Sequence, residues 1–463
     1  MKTSSTAFGA ANILLPDNTD MSKWAVVACD QFTSQPEYWE DTANIVGDAP
    51  SALKLILPEA YLESDDSEKR ISDIRKTMDE YLAKGIFKEY KDSMIYIERT
   101  DSTGKVRRGL VGMIDLEQYD FRKGSTSPVR ATEATVAERI PPRLKVRRGA
   151  ALELPHIMIL IDDPEKTVIE KIGEKKESLE KLYDFTLMKN GGSIRGYLVS
   201  GNDIDLCDKA LSDLGSRENF EKRYGIKDVP VLLYAMGDGN HSLATAKEYY
   251  EELKRENPDK DMSDHPARYA LAEIVNLHSD ALEFEAIHRI LTDIDTDKLL
   301  SEMTAELGLT ENVTDDMQSF EWVCGGVSKT YGISKPASNL TVGSVQSFLD
   351  GYLKANGGKI DYIHGADVVK RLAAANGSAG ILLPDMGKEE LFPTVIKDGA
   401  LPRKTFSMGH AEDKRYYVEA LKIKYCEYSN TKNQLKTVQK IEHNLEYMDY
   451  AKIFCLQFYW LLV

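Results

Sequence analysis

Val229-Pro230-Val231-Leu232-Leu233-Tyr234-Ala235-Met236 is a short apolar run that leads straight into Gly237-Asp238-Gly239-Asn240-His241-Ser242. The run reads as a buried strand. Beyond the glycines, Ser242–Leu253 is rich in helix formers. Strand, glycine turn and helix start in that order aim free backbone N–H groups and the positive end of a helix dipole at one point, which suits an anion. Gly237 and Gly239 let the backbone come close, Asn240 and Ser242 add polar side chains, and Asp238 with His241 supplies an acid/base pair. Asp238 is a candidate to bind Mg2+ or take a proton, and His241 to touch phosphate or shuttle a proton. The same residues also suit a plain tight turn, with Asn240 or Ser242 as N-cap and His241 merely packed. The Lys-[Ser/Thr] ending of a Walker loop and the spacing of a dinucleotide fingerprint are both absent.

A cation to match such a turn is sought in a chain whose formal charge is −16. That balance argues against a nucleic-acid or anionic-membrane partner, since both require a basic face. Residues 121–148 run against it, with eight bases (Arg122, Lys123, Arg130, Arg139, Arg143, Lys145, Arg147, Arg148) and two acids (Glu133, Glu138). A small phosphorylated ligand fits this island better than a polymer does. Arg139, Arg143 and Arg147 are the expected phosphate contacts, because the guanidinium fork donates paired hydrogen bonds. Pro141-Pro142 is expected to forbid a helix here; an extended segment would put Arg143, Lys145 and Arg147 on one face. A solvated charged loop is the alternative.

Elsewhere, Trp24–Cys29 and Ile157–Ile161 read as buried strands with Asp30 and Asp162-Asp163 at their exits, the second pair suiting a turn or cap. Residues 65–84 and 165–183 read as helices. Ser93–Thr100 with Lys105–Asp115 reads as a hairpin, and Tyr269–Leu277 is expected to pair with Leu282–Leu291. His288, Arg289 and Lys404 are secondary candidates for the site. On a strand, Glu285, Ile287 and Arg289 share one face and His288 takes the other. No HxH, HExxH or GxSxG pattern occurs, so neither a catalytic zinc nor a serine nucleophile elbow is expected. Five scattered cysteines, no signal-peptide pattern and no apolar run of about 20 residues suggest a reducing cytoplasm and no membrane span. The expected organisation is a main α/β body over 1–295, a smaller α/β lobe over 296–424 completing the site, and a tail of different character over 425–463. The oligomeric state is left open.

Several runs carry a resemblance: Ala28–Pro36, Glu138–Leu144, Leu154–Met158, Gly237–Ser242, Phe284–Arg289 and Leu401–Gly409. Together they resemble a bacterial protein family of unknown function over nearly all of residues 1–424, and the resemblance does not reach the last 39 residues. Members often read Asp-Gly-His-His-Arg where this chain has Asp238-Gly239-Asn240-His241-Ser242. That signature looks like the phosphate-binding turn of the ParB/sulfiredoxin-like superfamily, which includes kinases of free serine. The resemblance implies a mixed α+β or α/β fold, with a ParB/sulfiredoxin-like phosphate-binding core elaborated by further α/β lobes. It also implies a phosphotransferase or phosphatase acting on a small metabolite, with free serine or O-phosphoserine as the best guess and the direction open. Mg2+ and a nucleotide or pyrophosphate donor would accompany it, and members tend to be encoded beside early serine-biosynthesis genes. Gly239 and His241 carry over, whereas Ser242 stands where an Arg is expected, so the phosphate charge must be met elsewhere. Asp238, His241 and Asp30 are the expected catalytic residues. The alternative is a nucleotide-binding regulatory protein of ParB-like type that turns over no metabolite.

Overall fold

A computed structural model describes residues 6–133, 137–409 and 411–425. Apart from Tyr425, the tail expected over 425–463 lies outside the described residues, as does His410. The fold is mixed α/β, built on an eleven-stranded and a seven-stranded sheet.

The larger sheet runs Tyr119–Asp120, Val129–Arg130, Tyr234–Asp238, Met158–Ile161, Tyr269–Asn276, Val106–Asp115, Phe87–Thr100, Ser193–Val199, Lys181–Thr186, with Phe8–Gly9 also pairing Val106–Asp115 and Ala11–Pro16 pairing Phe87–Thr100. Tyr234–Asp238 therefore lies inside the sheet, parallel to Val129–Arg130 and antiparallel to Met158–Ile161. An interior strand needs apolar residues on both faces, and Tyr234, Ala235 and Met236 are fully buried. The helix Asn240–Glu256 follows at once. Its buried residues Leu243, Ala246 and Tyr250 recur at helical spacing, and Lys254 and Arg255 close its last turn, where the dipole favours cations.

The basic island differs from expectation. Ile140–Arg147 is a helix with Pro141 and Pro142 in its first turn, where an N–H has no intrahelical acceptor and proline is tolerated. Arg139, Arg143 and Arg147, four apart, therefore share one face, while Lys145 points away and pairs with Glu68 at 3.1 Å.

The segment Trp24–Cys29, buried as far as Ala28, is not a strand: Met21–Trp24 is a short helix, and Val27 makes one bridge to Tyr416. The helix expected over 165–183 is a short helix, Ile169–Gly173, a 3-10 turn and then the strand Lys181–Thr186. Residues 67–83 are helical, and Phe87–Thr100 pairs with Val106–Asp115 as the expected hairpin. Tyr269–Asn276 and Phe284–Thr292 are both strands but do not pair. The first belongs to the large sheet and the second to the small one, because each finds its hydrogen bonds with other strands. The seven-stranded sheet thus takes up Phe284–Thr292, which lies ahead of residue 295, and residues 416–421 pack back on the core of the first body. Phe406–Met408 pairs with the start of Phe284–Thr292 and brings Met408 against Gly237.

Candidate functional site

The turn is built as its sequence suggests, with one change in its cap. Gly239, not Asn240 or Ser242, is the N-cap, at φ 80°, and no side chain caps the helix. A Cβ at Gly239 would lie 3.1 Å from Ile157 Cα, so both the positive φ and the close strand call for glycine. The first-turn amides of the helix have no intrahelical acceptor. Asp238 Oδ1 accepts the Gly239 N–H at 2.9 Å, and Oδ2 lies 3.3 Å from Lys414 Nζ. The strand end is tied from outside by Thr132, whose hydroxyl donates to the Met236 carbonyl at 2.8 Å.

Around this turn the chain collects cations and carboxylates from distant segments. His241 Nε2 and Asn240 Oδ1 are buried without a hydrogen-bond partner among the described residues. Burial, followed by the positive charges of Arg143, Arg139 and Lys404, pushes the His241 pKa down to about 4, with Asp30 opposing. The imidazole is therefore neutral at pH 7, with three cations and the Asp30 carboxylate acting on it. Below the ordinary value of 6.5 the unfolded chain binds a proton that native His241 refuses until about 4. Stability present above pH 6.5 is accordingly lost as the pH falls towards 4. Thermal melts across that window should fall less steeply for His241→Gln than for the native protein. A bound anion reverses the repulsion, so phosphate binding near pH 5 should take up protons, read by calorimetry in buffers of different ionisation enthalpy.

Asp30 accepts at Oδ1 from Gln31 at 3.0 Å, and its Oδ2 lies 3.7 Å from His156 Nε2. Burial works to raise its pKa, but His156, Gln31 and Lys414 together outweigh it and hold the carboxyl below its usual range. Glu133 behaves in the opposite way: burial raises it, Lys404 opposes, and Asp238 adds to the rise.

Sequence reasoning gave His156 no role, yet it is the hub of the site. Its Nε2 lies 2.9 Å from Ser242 Oγ and its Nδ1 lies 2.8 Å from Tyr417 OH, which accepts the Cys29 N–H at 3.1 Å. Ser242, His156 and Tyr417 form one relay. Moving its protons one step along turns Ser242 Oγ from acceptor to donor. Beside Ser242 and His156 lies a cavity of about 150 Å3, walled by aliphatic residues such as Leu57, Met78 and Leu152, with Glu59 and Arg143 on its polar side.

The expected phosphate contacts divide into two groups. Arg139 is exposed and its guanidinium makes no ion pair among the described residues. Arg143 reaches His241 electrostatically, but its fork is held by Glu59. Arg147 lines the cavity beside Ser242 but is not among the charges that act on His241. It pairs with Glu153, whose Oε1 accepts the Leu271 amide at 2.7 Å, so its role is in packing. Arg139→Ala should weaken phosphate binding about tenfold, the loss of one charge-assisted hydrogen bond. Arg147→Ala should leave binding unchanged and lower the melting temperature; titration and thermal melts of both variants check this.

Among the secondary candidates, Lys404 joins the site, at a φ of 56° that is uncommon for lysine. Arg289 is fully buried and does not reach the turn; its guanidinium donates to the carbonyls of Lys404 and Arg403 at 3.0 and 3.1 Å, clamping the loop that carries Lys404. His288 does not reach it either, because Nδ1 accepts the Leu383 N–H at 3.1 Å within the small sheet. Asp163 caps the following turn through the Thr167 and Val168 amides, and Asp162 binds His278 and Tyr224, so that strand exit is structural. Glu133, His156, Lys414 and Tyr417 are the site residues that the sequence did not single out. The run Leu154–Met158 carried His156, and only its proximity in the fold to Ser242 gives it meaning.

Mg2+ does not fit Asp238 as it stands. One carboxylate oxygen holds a backbone amide and the other faces an ammonium. Among the described residues no group of three or more His, Cys, Asp or Glu is placed to hold a metal ion. Cys29, Cys207 and Cys324 are free thiols, and no described helix is long and apolar enough to cross a membrane.

Comparison with solved structures finds a conserved hypothetical protein from Pyrococcus furiosus at 12% identity and TM-score 0.33, covering 69% of this chain and 96% of that one. A free serine kinase in complex with AMP matches at 12% identity and TM-score 0.35, covering 69% and 93%. A C-terminally truncated SbnI from Staphylococcus aureus matches at 7% identity and TM-score 0.33, covering 65% and 82%. No curated protein matches the chain. The family match runs past residue 424, where the sequence reading ended the resemblance. Residues 13–441 match the family described as protein of unknown function (DUF1015), and the chain belongs to that family.

Proposed function

We propose that the protein transfers a phosphoryl group to or from a small hydroxylated metabolite, with free serine and O-phosphoserine as the substrates to test first. One observation carries this reading. The helix start at Asn240–Ser242 has no side-chain cap, and the charges of Arg143, Arg139 and Lys404 act on His241, whose Nε2 is buried without a partner among the described residues. Backbone amides at a helix start and guanidinium groups are matched to phosphate oxygens. The arginine missing at Ser242 is replaced by cations from two other segments, and the Ser242 hydroxyl adds a donor when His156 Nε2–H donates to its oxygen and leaves its own proton free. The resemblance of the turn to the ParB/sulfiredoxin-like superfamily accords with this reading.

Phosphoryl transfer passes through a loose transition state, so catalysis is mostly positioning and charge neutralisation. A strong base is unnecessary. In the kinase direction a substrate hydroxyl oxygen attacks phosphorus, the bond to the donor's leaving oxygen breaks, and Asp30 takes the hydroxyl proton. Hydrolysis follows the same course with water as the attacking group. Asp238, tied to Lys414 and its own turn, keeps the loop in shape and sets the charge facing the anion. The aliphatic cavity beside Ser242 has room for the part of a reactant that is not transferred. Serine with ATP, ADP or pyrophosphate, and phosphoserine alone, are the reactions to screen for phosphoserine formation and phosphate release. Turnover in neither direction refutes the reading, and so does a detected turnover that Asp238→Ala leaves unchanged. Tight nucleotide binding without turnover of any amino acid would make the protein a regulator instead.

A further inference from the structure

Arg99 and Arg107 stand directly opposite each other on the paired strands Phe87–Thr100 and Val106–Asp115. Like charges facing across a strand pair repel. Arg107 is neutralised by Glu273, which is fully buried and also takes Arg415; Arg415 in turn shares Glu419. Three guanidiniums thus meet two carboxylates in the interior, and the cation left over is Arg99. It is 1% exposed, and it has no carboxylate within ion-pair distance among the described residues. Its terminal nitrogens donate to the carbonyls of Thr100 and Glu412, and its Nε is buried without a partner. A buried charge without a counter-ion is costly to keep.

Arg99 lines a cavity of about 70 Å3, together with Arg107, Lys105 and Lys414. The acids on the same wall are already engaged. Asp413 accepts from the Ser102 amide and hydroxyl, Asp101 from the Thr103 and Lys105 amides, Glu283 pairs with Lys105, and Glu285 pairs with His364. Lys414 is the wall between this cavity and the phosphate turn, since its ammonium also faces Asp238.

We propose that this cavity is a second oxyanion subsite, in which Arg99 takes a carboxylate or phosphate group one lysine away from the Asp238 turn. As a carboxylate site it rests on the phosphoryl-transfer reading: it holds the acid group of an amino-acid acceptor while the hydroxyl reaches the phosphate at the turn. The acceptor class is then a hydroxy acid or hydroxy amino acid, and amino alcohols without the acid group are excluded.

Thermal melts of the full chain titrated with L-serine, serinol and inorganic phosphate test this, in the native protein, Arg99→Gln and Ala281→Phe. Arg99 also holds two carbonyls, so Ala281→Phe, which fills the cavity from its wall, supplies a variant that keeps the guanidinium. The native protein should be stabilised by serine and not by serinol. Both variants should lose about tenfold in apparent serine affinity, while keeping the phosphate response of the intact turn. Equal responses to serine and serinol, or a serine response unchanged in both variants, overturns the subsite. A phosphate response that falls in both variants, with no serine response in the native protein, keeps an anion site and overturns the acceptor carboxylate. These melts read binding and the turnover screen reads chemistry, so a serine response without phosphoserine formation refutes the function and leaves the subsite standing.

Discussion

Asp30→Asn should lower phosphoryl transfer about 10²- to 10⁴-fold, the range lost when a positioned proton acceptor is removed. The side chain keeps its size and its hydrogen bond to Gln31, so the change is one of charge. Asp30 is ionised at working pH because His156, Gln31 and Lys414 outweigh the burial that would neutralise it. The loss should fall on kcat, with the affinity for the phosphate donor little changed, because the anion rests on the amides and cations of the turn. Steady-state kinetics with donor and acceptor varied separately check this. An equal loss in donor affinity would move Asp30 from the reacting hydroxyl to the binding of the donor.

Glu273→Gln should be the most destabilising single change among the charged residues, at roughly 3–5 kcal/mol, because breaking a buried pair strands its partner. Here Arg107 is stranded and Arg415 is left with Glu419 alone. Glu273 is 0% exposed and receives Arg107 Nε at 3.1 Å and Arg415 Nε at 3.0 Å. The backbone makes room for it: a Cβ at Gly109 would lie 2.4 Å from Glu273 Oε1. Burial works to raise its pKa, yet the two guanidiniums hold it below the usual range. Its stabilisation is present above the ordinary glutamate range and lost as the pH falls through the lowered value. The melting temperature of Glu273→Gln should fall sharply at pH 7, while Asp66→Asn, which breaks an exposed pair with Arg70, should melt like the native protein.

The turn itself was legible in the sequence because its signals are local. A β-rich run, two glycines and a helix-forming segment occupy consecutive residues, and each fixes its own backbone. The basic island was read correctly in charge and wrongly in shape. Pro141-Pro142 was given the meaning proline has inside a helix, whereas the chain uses it at a helix start. That error hid the common face of Arg139, Arg143 and Arg147, and nothing in their spacing revealed that Glu153 would draw Arg147 away. Phe284–Thr292 was readable as a strand but not as a member of the second sheet, since strand partners are chosen across the whole fold. His156, Tyr417 and Lys414 were invisible for a similar reason. His156 lies 86 residues from Ser242 and 261 from Tyr417 along the chain, and their chemistry appears only when the sheet brings Met158–Ile161 beside Tyr234–Asp238.

The central claim is that the Asp238–Ser242 turn holds a phosphoryl group in transit. Phosphorus NMR of the purified protein with L-serine and each of ATP, ADP and pyrophosphate reads this directly. The account predicts a growing phosphoserine resonance with at least one donor, absent in Asp30→Asn and reduced in Arg139→Ala. No phosphoserine from any donor and no phosphate from phosphoserine, or equal rates in the native protein and both variants, would contradict it.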